Sequence, residues 1–294
     1  PTKPLLTEAV MFFSERGICK EMLFPEFEAL LDGLVAAPEH ADETVQAVFL
    51  QINTRLHVRA AVFFNIDDIC LDGSDLPHML PDEETFSAKV GALGIGDGDK
   101  IVIYDLTGGG MAAARVWWTF RVFGVEDVAL LNGSLPKWLA EGRPTTDEIP
   151  SPTPATFTAR KNESLVRDIQ QMLANVDSRA EQVVDARAKE RYEGTAPEPR
   201  EGSRAGHIPG SHSLPFSLFL DKDRDFVMRD ADELSQAIAD AGLDVDGPIT
   251  ASCGSGVTAS MLAFGLYLIG KKDVAVYDGS WSEWGMRHDT PIET

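Results

Sequence analysis

The sequence predicts an α/β protein made of two tandem units, each a small, mostly parallel sheet with helices on both faces. Three observations carry this. Short β-branched runs alternate with amphipathic helical runs along the 294 residues, the pattern of repeated strand–helix–strand units. The segment from Asp127 to Ser134 recurs as Asp273 to Ser280, 146 residues later, and in both copies a Trp, Trp138 or Trp284, stands five residues after the Gly. Between the copies, residues 142–162 lose all apolar periodicity and carry Pro144, Pro150, Pro152 and Pro154, which break regular structure. The expected organisation is a first unit over 1–145, a linker over 146–160 and a second unit over 161–294.

The elements follow in order. Val48–Ile52 reads as a buried strand and Glu83–Leu93 as a helix. Ile101–Tyr104 is a strand that runs into a Gly-rich turn, then a helix over Ala112–Phe123 and a strand over Val128–Leu131. Past the linker come a helix over Leu165–Asn175, a strand over Val183–Asp185 and a helix over Asp230–Ala241. The strand Ile249–Ser252 is followed by a second Gly-rich turn, a helix from Ala259 and a last strand, Val274–Tyr277. A parallel sheet covered on both faces places its ligands at the carboxyl ends of the strands.

Composition removes several classes of function. With 26 Lys and Arg against 47 Asp and Glu, the net charge is −21, which argues against nucleic acid and anionic membrane surfaces as partners. An apolar share of 44% is enough for a real core, so the charge does not imply disorder. No apolar run reaches about 18 residues, the length of a membrane span. Pro1-Thr2-Lys3-Pro4 leads into no apolar signal stretch. Three cysteines, Cys19, Cys70 and Cys253, with no C-x-x-C pair, form neither a disulfide framework nor a zinc site, and no metal or organic cofactor is expected. They suit a reducing compartment, so a cytoplasmic setting is expected, or a mitochondrial one if a targeting segment has been removed.

The second Gly-rich turn carries the chemistry. Cys253-Gly254-Ser255-Gly256-Val257-Thr258 joins the end of a strand to the start of a helix. Glycines there let successive N–H groups turn inward, and the helix N-terminus adds partial positive charge. That setting stabilises a thiolate, and the same donors could hold an anionic adduct of its sulfur. Cys19 and Cys70 lack such a turn and read as small buried hydrophobes. At the matching place in the first copy stands Asp105-Leu106-Thr107-Gly108-Gly109-Gly110, which keeps the turn without the nucleophile. One active site is therefore expected, in the second unit.

These residues resemble the two-domain sulfurtransferases of the rhodanese superfamily, and within it the mercaptopyruvate-using branch. The likeness runs through the loop CGSGVT (253–258), VVDARAKERYEGTAPEPREG (183–202), Gly206-His207-Ile208-Pro209-Gly210, the closing segment Tyr277 to Trp284 and DLPHMLP (75–81). It implies two rhodanese-like domains, the first without the catalytic Cys. It further implies sulfur transfer from 3-mercaptopyruvate through a Cys253 persulfide to a thiol acceptor such as thioredoxin, or to cyanide, with release of pyruvate. Arg191 and Arg200 match the arginines that bind the substrate's carboxylate and carbonyl oxygens; as plain surface residues they would pair with Glu193 and Glu198. Arg187 is expected to pair with Asp185. Ser255, His78 and Asp67 match a serine–histidine–aspartate relay, although His78 could also simply pack between Pro77 and Met79. Gly254, Gly256, Val257 and Thr258 would cradle the substrate's sulfur. The first copy departs from the pattern at Gln51–Arg55 and at His57–Ala60, and residues 1–55 match poorly.

Two other chemistries and one non-enzymatic role compete. Thiosulfate-using relatives typically carry two basic residues after the Cys, where this chain has Gly254 and Ser255. A phosphatase of related architecture needs a Cys-x5-Arg loop, and the sixth position after Cys253 is Ala259. A non-catalytic sulfur-carrier binding module would not need Cys253, Arg191 and Arg200 together.

Overall fold

A computed structural model of the chain describes residues 57, 58 and 61–294, together with the backbone of the strands β1 (Phe12–Phe13), β2 (Cys19–Lys20) and β3 (Val45–Leu50). The side chain of Cys19 and the segment Gln51–Arg55 lie outside the described residues. From there the order is β4 (Val62–Phe63), α1 (Glu83–Ala92), β5 (Lys100–Asp105), α2 (Met111–Val122), β6 (Val128–Leu130) and α3 (Ser134–Ala140). It continues with β7 (Val166–Arg167), α4 (Ile169–Ser178), β8 (Gln182–Asp185), α5 (Lys189–Tyr192), β9 (His212–Ser213), β10 (Leu220–Asp221), β11 (Val227–Met228) and α6 (Ala231–Asp240). The chain closes with β12 (Ile249–Ser252), α7 (Val257–Leu268), β13 (Ala275–Tyr277) and α8 (Ser280–Trp284).

Two parallel sheets result. The first has the order β4-β3-β5-β6 and the second β7-β13-β12-β8-β9, every neighbouring pair being parallel. The central strands β5 and β12 are the repeated pair, and both are buried over almost their whole length. That is why they read as continuous apolar runs rather than alternating ones.

Most expected elements lie within a residue or two of their forecast limits. The strand expected from Val48 begins three residues earlier, at Val45, and the larger exception is Leu165–Asn175. Residues Glu163–Leu165 form a 3-10 turn, and Val166 and Arg167 pair with β13 as an edge strand. The helix begins only after Asp168, whose carboxylate accepts from the Gln171 N–H while the Gln171 side chain accepts from the Asp168 N–H. This reciprocal cap fixes the helix start four residues beyond where apolar spacing placed it. The same device starts α6, through Asp230 and Glu233.

The two units share one hydrophobic core that runs from Val62 in the first sheet to Val276 in the second. Helices α2 and α7 press against each other at its centre. Trp117 of α2 meets Phe264 and Tyr267 of α7 edge-on, at ring separations of 4.9 and 5.1 Å. Being covered by its own sheet and by α2, α7 is apolar nearly all round, and residues 259–268 are all buried. The 3-10 turn Phe216–Phe219 packs on the same helix at Gly265, where a Cβ would stand 2.3 Å from the Phe219 ring. Residues 147–162 carry no helix or strand, as the prolines predict, but they are not loose: Phe157 is buried against Phe86, and the Ala155 N–H bonds to Gly91 O at 2.9 Å.

Gly265→Ala separates two opposing effects. Alanine gains about 1 kcal/mol over glycine as a helix former. Overpacking a filled core costs about 1–3 kcal/mol, and here the intruded ring is itself fully buried. Net destabilisation is expected in urea unfolding, and an unchanged or raised midpoint would show that Phe219 can retreat.

Candidate active site

The site forms where β12 ends. Cys253 is buried, and its backbone is held at both sides. Its N–H donates to the Ser280 hydroxyl at 3.2 Å, and its carbonyl accepts from the Trp281 N–H at 2.9 Å. The next carbonyl, of Gly254, accepts from both the N–H and the hydroxyl of Ser282. The turn after β13 therefore grips the cysteine loop from behind and leaves its other face open. On that face, the backbone N–H groups of residues 254–258 engage no acceptor among the described residues. With α7 starting at Val257, these donors and the helix N-terminus make a nest for an anion.

The first copy shows the alternative. The Asp105 N–H donates to the Ser134 hydroxyl at 3.1 Å, the counterpart of the Cys253–Ser280 bond. Both serines hold left-handed backbones, φ 53° for Ser134 and 48° for Ser280, a costly conformation that these hydroxyl bonds help to fix. The Asp105 carboxylate then accepts from the Thr107 N–H and hydroxyl, at 3.1 Å each, and from the Ala113 N–H at 3.5 Å. The nest of the first copy is thus filled by its own side chain, whereas in the second no side chain among the described residues folds back onto it.

Gly256 caps α7 with φ +76°, and a Cβ there would stand 2.7 Å from Arg115 Nη1 and 3.0 Å from the Asp278 carbonyl. Only glycine fits both the conformation and the space. Gly254 also faces an arginine: a Cβ there would lie 3.4 Å from Arg191 Nη2. A basic side chain at 254 would be pushed against that guanidinium.

Arg191 therefore reaches the cysteine loop, but it is not free. Its Nε and Nη2 form a two-pronged contact with Glu198, at 3.2 and 2.6 Å. Glu198 is 4% exposed and also takes Arg187 Nη1 at 2.9 Å. Arg187 is fully buried, pairs with Asp185 as expected, and lies over the Trp281 ring. Burial works against its charge, but Asp185 and Glu198 outweigh it and its pKa is raised. Glu193, the other expected partner of Arg191, pairs with Lys189 instead. Arg200 is half-buried, and its guanidinium has no partner among the described residues.

Asp67 and His78 come together, with His78 Nδ1 3.1 Å from Asp67 Oδ1. Asn65 shapes the turn beneath by accepting the Asp67 N–H at 3.0 Å. His78 is not packed as a plain spacer: its backbone is left-handed, φ 57°, and its carbonyl accepts from Arg115. Burial lowers its pKa, Asp67 opposes this, and the Arg115 charge lowers it further. The Ser255 hydroxyl has no partner among the described residues; His78 and Asp67 stand at ion-pair distance, but His78 Nδ1 makes no hydrogen bond, and none joins His78 to Ser255. Thr258 is half-buried at the start of α7. Cys70 sits beside this pair with its thiol donating to the Asp67 carbonyl, and burial raises its pKa, which makes it a poor nucleophile. Sequence reasoning missed Arg115, Asp278 and Ser280. The available signals were Arg115 in the first turns of the apolar helix MAAARVWWTFRV and the repeated Gly-Ser pair at 133–134 and 279–280.

A strand-end cysteine on a Gly-rich turn into a helix, with Arg191 reaching that turn, in the second of two duplicated parallel sheets, is the arrangement of a thiol-based transfer enzyme. Comparison with known proteins makes this specific. The family model described as a rhodanese-like domain matches twice, over residues 52–141 and 168–287. A thiosulfate/3-mercaptopyruvate sulfurtransferase of Arabidopsis thaliana, mitochondrial by its name, is 42% identical over 81% of this chain and 68% of its own. A thiosulfate sulfurtransferase of Mus musculus is 46% identical over 81% and 80%. A crystal structure of SseA from Escherichia coli, whose name assigns it to the 3-mercaptopyruvate sulfotransferases, superposes with a TM-score of 0.74 at 30% identity, covering 86% and 98%. The chain belongs to the family of sulfurtransferases built from tandem rhodanese-like domains.

Removing Glu198 tests the arrangement around the arginines. Glu198→Ala leaves buried Arg187 with one carboxylate instead of two, so the cost should exceed that of a surface pair but stay below the roughly 3–5 kcal/mol of leaving a buried charge wholly unpaired. Urea unfolding at neutral pH should register that loss, and a cost below about 1 kcal/mol would mean that Arg187 does not depend on Glu198.

Proposed function

We propose that the protein transfers sulfur from 3-mercaptopyruvate to a thiol acceptor, such as thioredoxin, or to cyanide, through a persulfide on Cys253. The observation that carries this reading is the open nest of residues 254–258 beside Arg191, with an uncharged Gly254 between them. Arg200, half-buried and with no guanidinium partner among the described residues, and Arg191 bind the carboxylate and carbonyl oxygens of the substrate. The Cys253 thiolate attacks the substrate sulfur. The carbon–sulfur bond breaks, its electron pair goes to the carbon, and the enolate of pyruvate departs and takes up a proton. His78, oriented by Asp67, and Ser255 handle that proton. The outer sulfur of the persulfide, as an anion, rests against the free N–H groups of the nest. An acceptor thiolate then attacks it, the sulfur–sulfur bond breaks, and the Cys253 thiolate is restored.

The catalytic unit is residues 161–294, joined through 146–160 to a first unit, 1–145, which supplies His78 and Asp67. Among the described residues no helix is long and apolar enough to cross a membrane. Sparse free cysteines fit the cytoplasm, or the mitochondrion after removal of a targeting segment.

The test is direct. Incubation with 3-mercaptopyruvate should release pyruvate and add the mass of one sulfur atom to the peptide that contains Cys253. Full activity in Cys253→Ser would sink the proposal. Thiosulfate is the competing donor, and kcat/KM should be higher with mercaptopyruvate. Arg191→Ala should lower that kcat/KM by about 30- to 1000-fold, the loss of roughly 2–4 kcal/mol of charge-assisted binding.

Salt gives an independent check. The segment 183–204 carries equal numbers of basic and acidic side chains within a chain of net charge −21. Long-range steering of an anionic substrate is therefore weak. kcat/KM should not fall steeply between low and physiological ionic strength.

A further inference from the structure

Arg115 stands one turn into α2, in the first domain, and is 2% exposed. Its guanidinium lies over the Trp118 ring at 4.5 Å. Nη2 donates to Asp278 Oδ1 at 2.7 Å and to the His78 carbonyl, while Nη1 is buried without a partner and faces Gly256 of the cysteine loop. The other oxygen of Asp278 accepts the Leu80 N–H at 2.9 Å. One guanidinium thus meets three things at once: the loop that bears His78, the cysteine loop, and the turn that grips Cys253 from behind.

We infer that Arg115, held by Asp278, is a positioning residue for sulfur transfer, locking the His78 loop of the first domain against the Cys253 loop of the second. This rests on the reading of His78 as the group that handles protons at Cys253. Neither Arg115 nor Asp278 needs to touch the substrate. The geometry works through the backbone: Arg115 holds the carbonyl of a residue whose own φ is left-handed, and so fixes the direction in which the imidazole leaves the chain. A buried arginine with a spare donor also sets the local field. The charged groups that face His78 are Asp67 on its own loop, Arg115 from α2 and Asp278 from the end of β13; Arg115 disfavours the imidazolium, and both carboxylates favour it. A neutral imidazole near pH 7 is the form that can accept a proton.

The two partners therefore make opposite predictions, which a merely structural role does not. In the full-length enzyme, Arg115→Met should lower kcat by roughly 10- to 100-fold, the order of loss that a misplacement of about 1 Å causes, with a smaller change in KM. It should also move the acid limb of the kcat/KM profile to higher pH. Asp278→Asn should move that limb to lower pH. Arg115→Lys keeps the charge, so the limb should stay near its wild-type position while part of kcat is lost, and this variant carries the test if Arg115→Met does not fold. If the limb stays put in both Arg115→Met and Asp278→Asn, or moves the same way in both, while only the melting temperature falls, the inference is overturned. Two controls keep it apart from the reading beneath it. A wild-type enzyme that forms no persulfide on Cys253 refutes the proposed reaction. An acid limb that survives in His78→Asn refutes the role of His78, whatever Arg115 does.

Discussion

The site depends on where Asp278 puts its two carboxylate oxygens. One takes Arg115 and the other the Leu80 N–H, both from the first domain. Two residues on, the Ser280 hydroxyl receives the Cys253 N–H, and the N–H groups of Trp281 and Ser282 close on the carbonyls of the cysteine loop. A single turn thus registers Cys253 against its own sheet and against the neighbouring domain. The Arg115–Asp278 pair is almost wholly buried, at 3% and 7% exposure. Desolvation cancels much of the attraction in such a pair, so its contribution is specificity of arrangement more than net stability. Removing one member would still be costly, because the other would remain as an uncompensated buried charge.

Duplication explains how a scaffold this rigid came to carry one site. Both copies retain the left-handed serine, the strand end bonded to it and the Gly-rich turn into a helix. They differ in what occupies the nest. Asp105 supplies its own anion, which satisfies the first copy's donors and gives that end of the sheet a purely structural task. Cys253 carries a side chain that does not fold back, and the donors of residues 254–258 stay available. The chemical asymmetry of the molecule comes down to one residue at a strand end.

Much of this was legible in the sequence, and the reason is locality. Cys253, its glycines and the helix start are contiguous, so their meaning does not depend on the rest of the fold. The central strands are buried on both faces and show as apolar runs. The edge strands β4, β7 and β9 are two residues long and have no periodicity to read; Val166 and Arg167 were absorbed into a helical pattern for that reason. Arg187 could be paired with Asp185 because they are two residues apart. Arg115 and Asp278 are 163 residues apart, and only the packing of α2 on α7 brings them together. Glu198 was visible as a partner for Arg191 but not as a buried one, since its burial depends on Arg187 lying beneath it. The His78–Ser255 half of the relay rests on resemblance.

The shared core has a further consequence for how the two domains can exist. Trp117 of α2 and Phe264 and Tyr267 of α7 bury one another across the seam. A chain cut within the linker would expose that aromatic face on both fragments, and α7 would lose the cover of α2. The half that bears Cys253 would be separated from Asp67 and His78, and it would present the Phe264 and Tyr267 face of α7 to solvent. Duplication here has produced two copies that share one hydrophobic core.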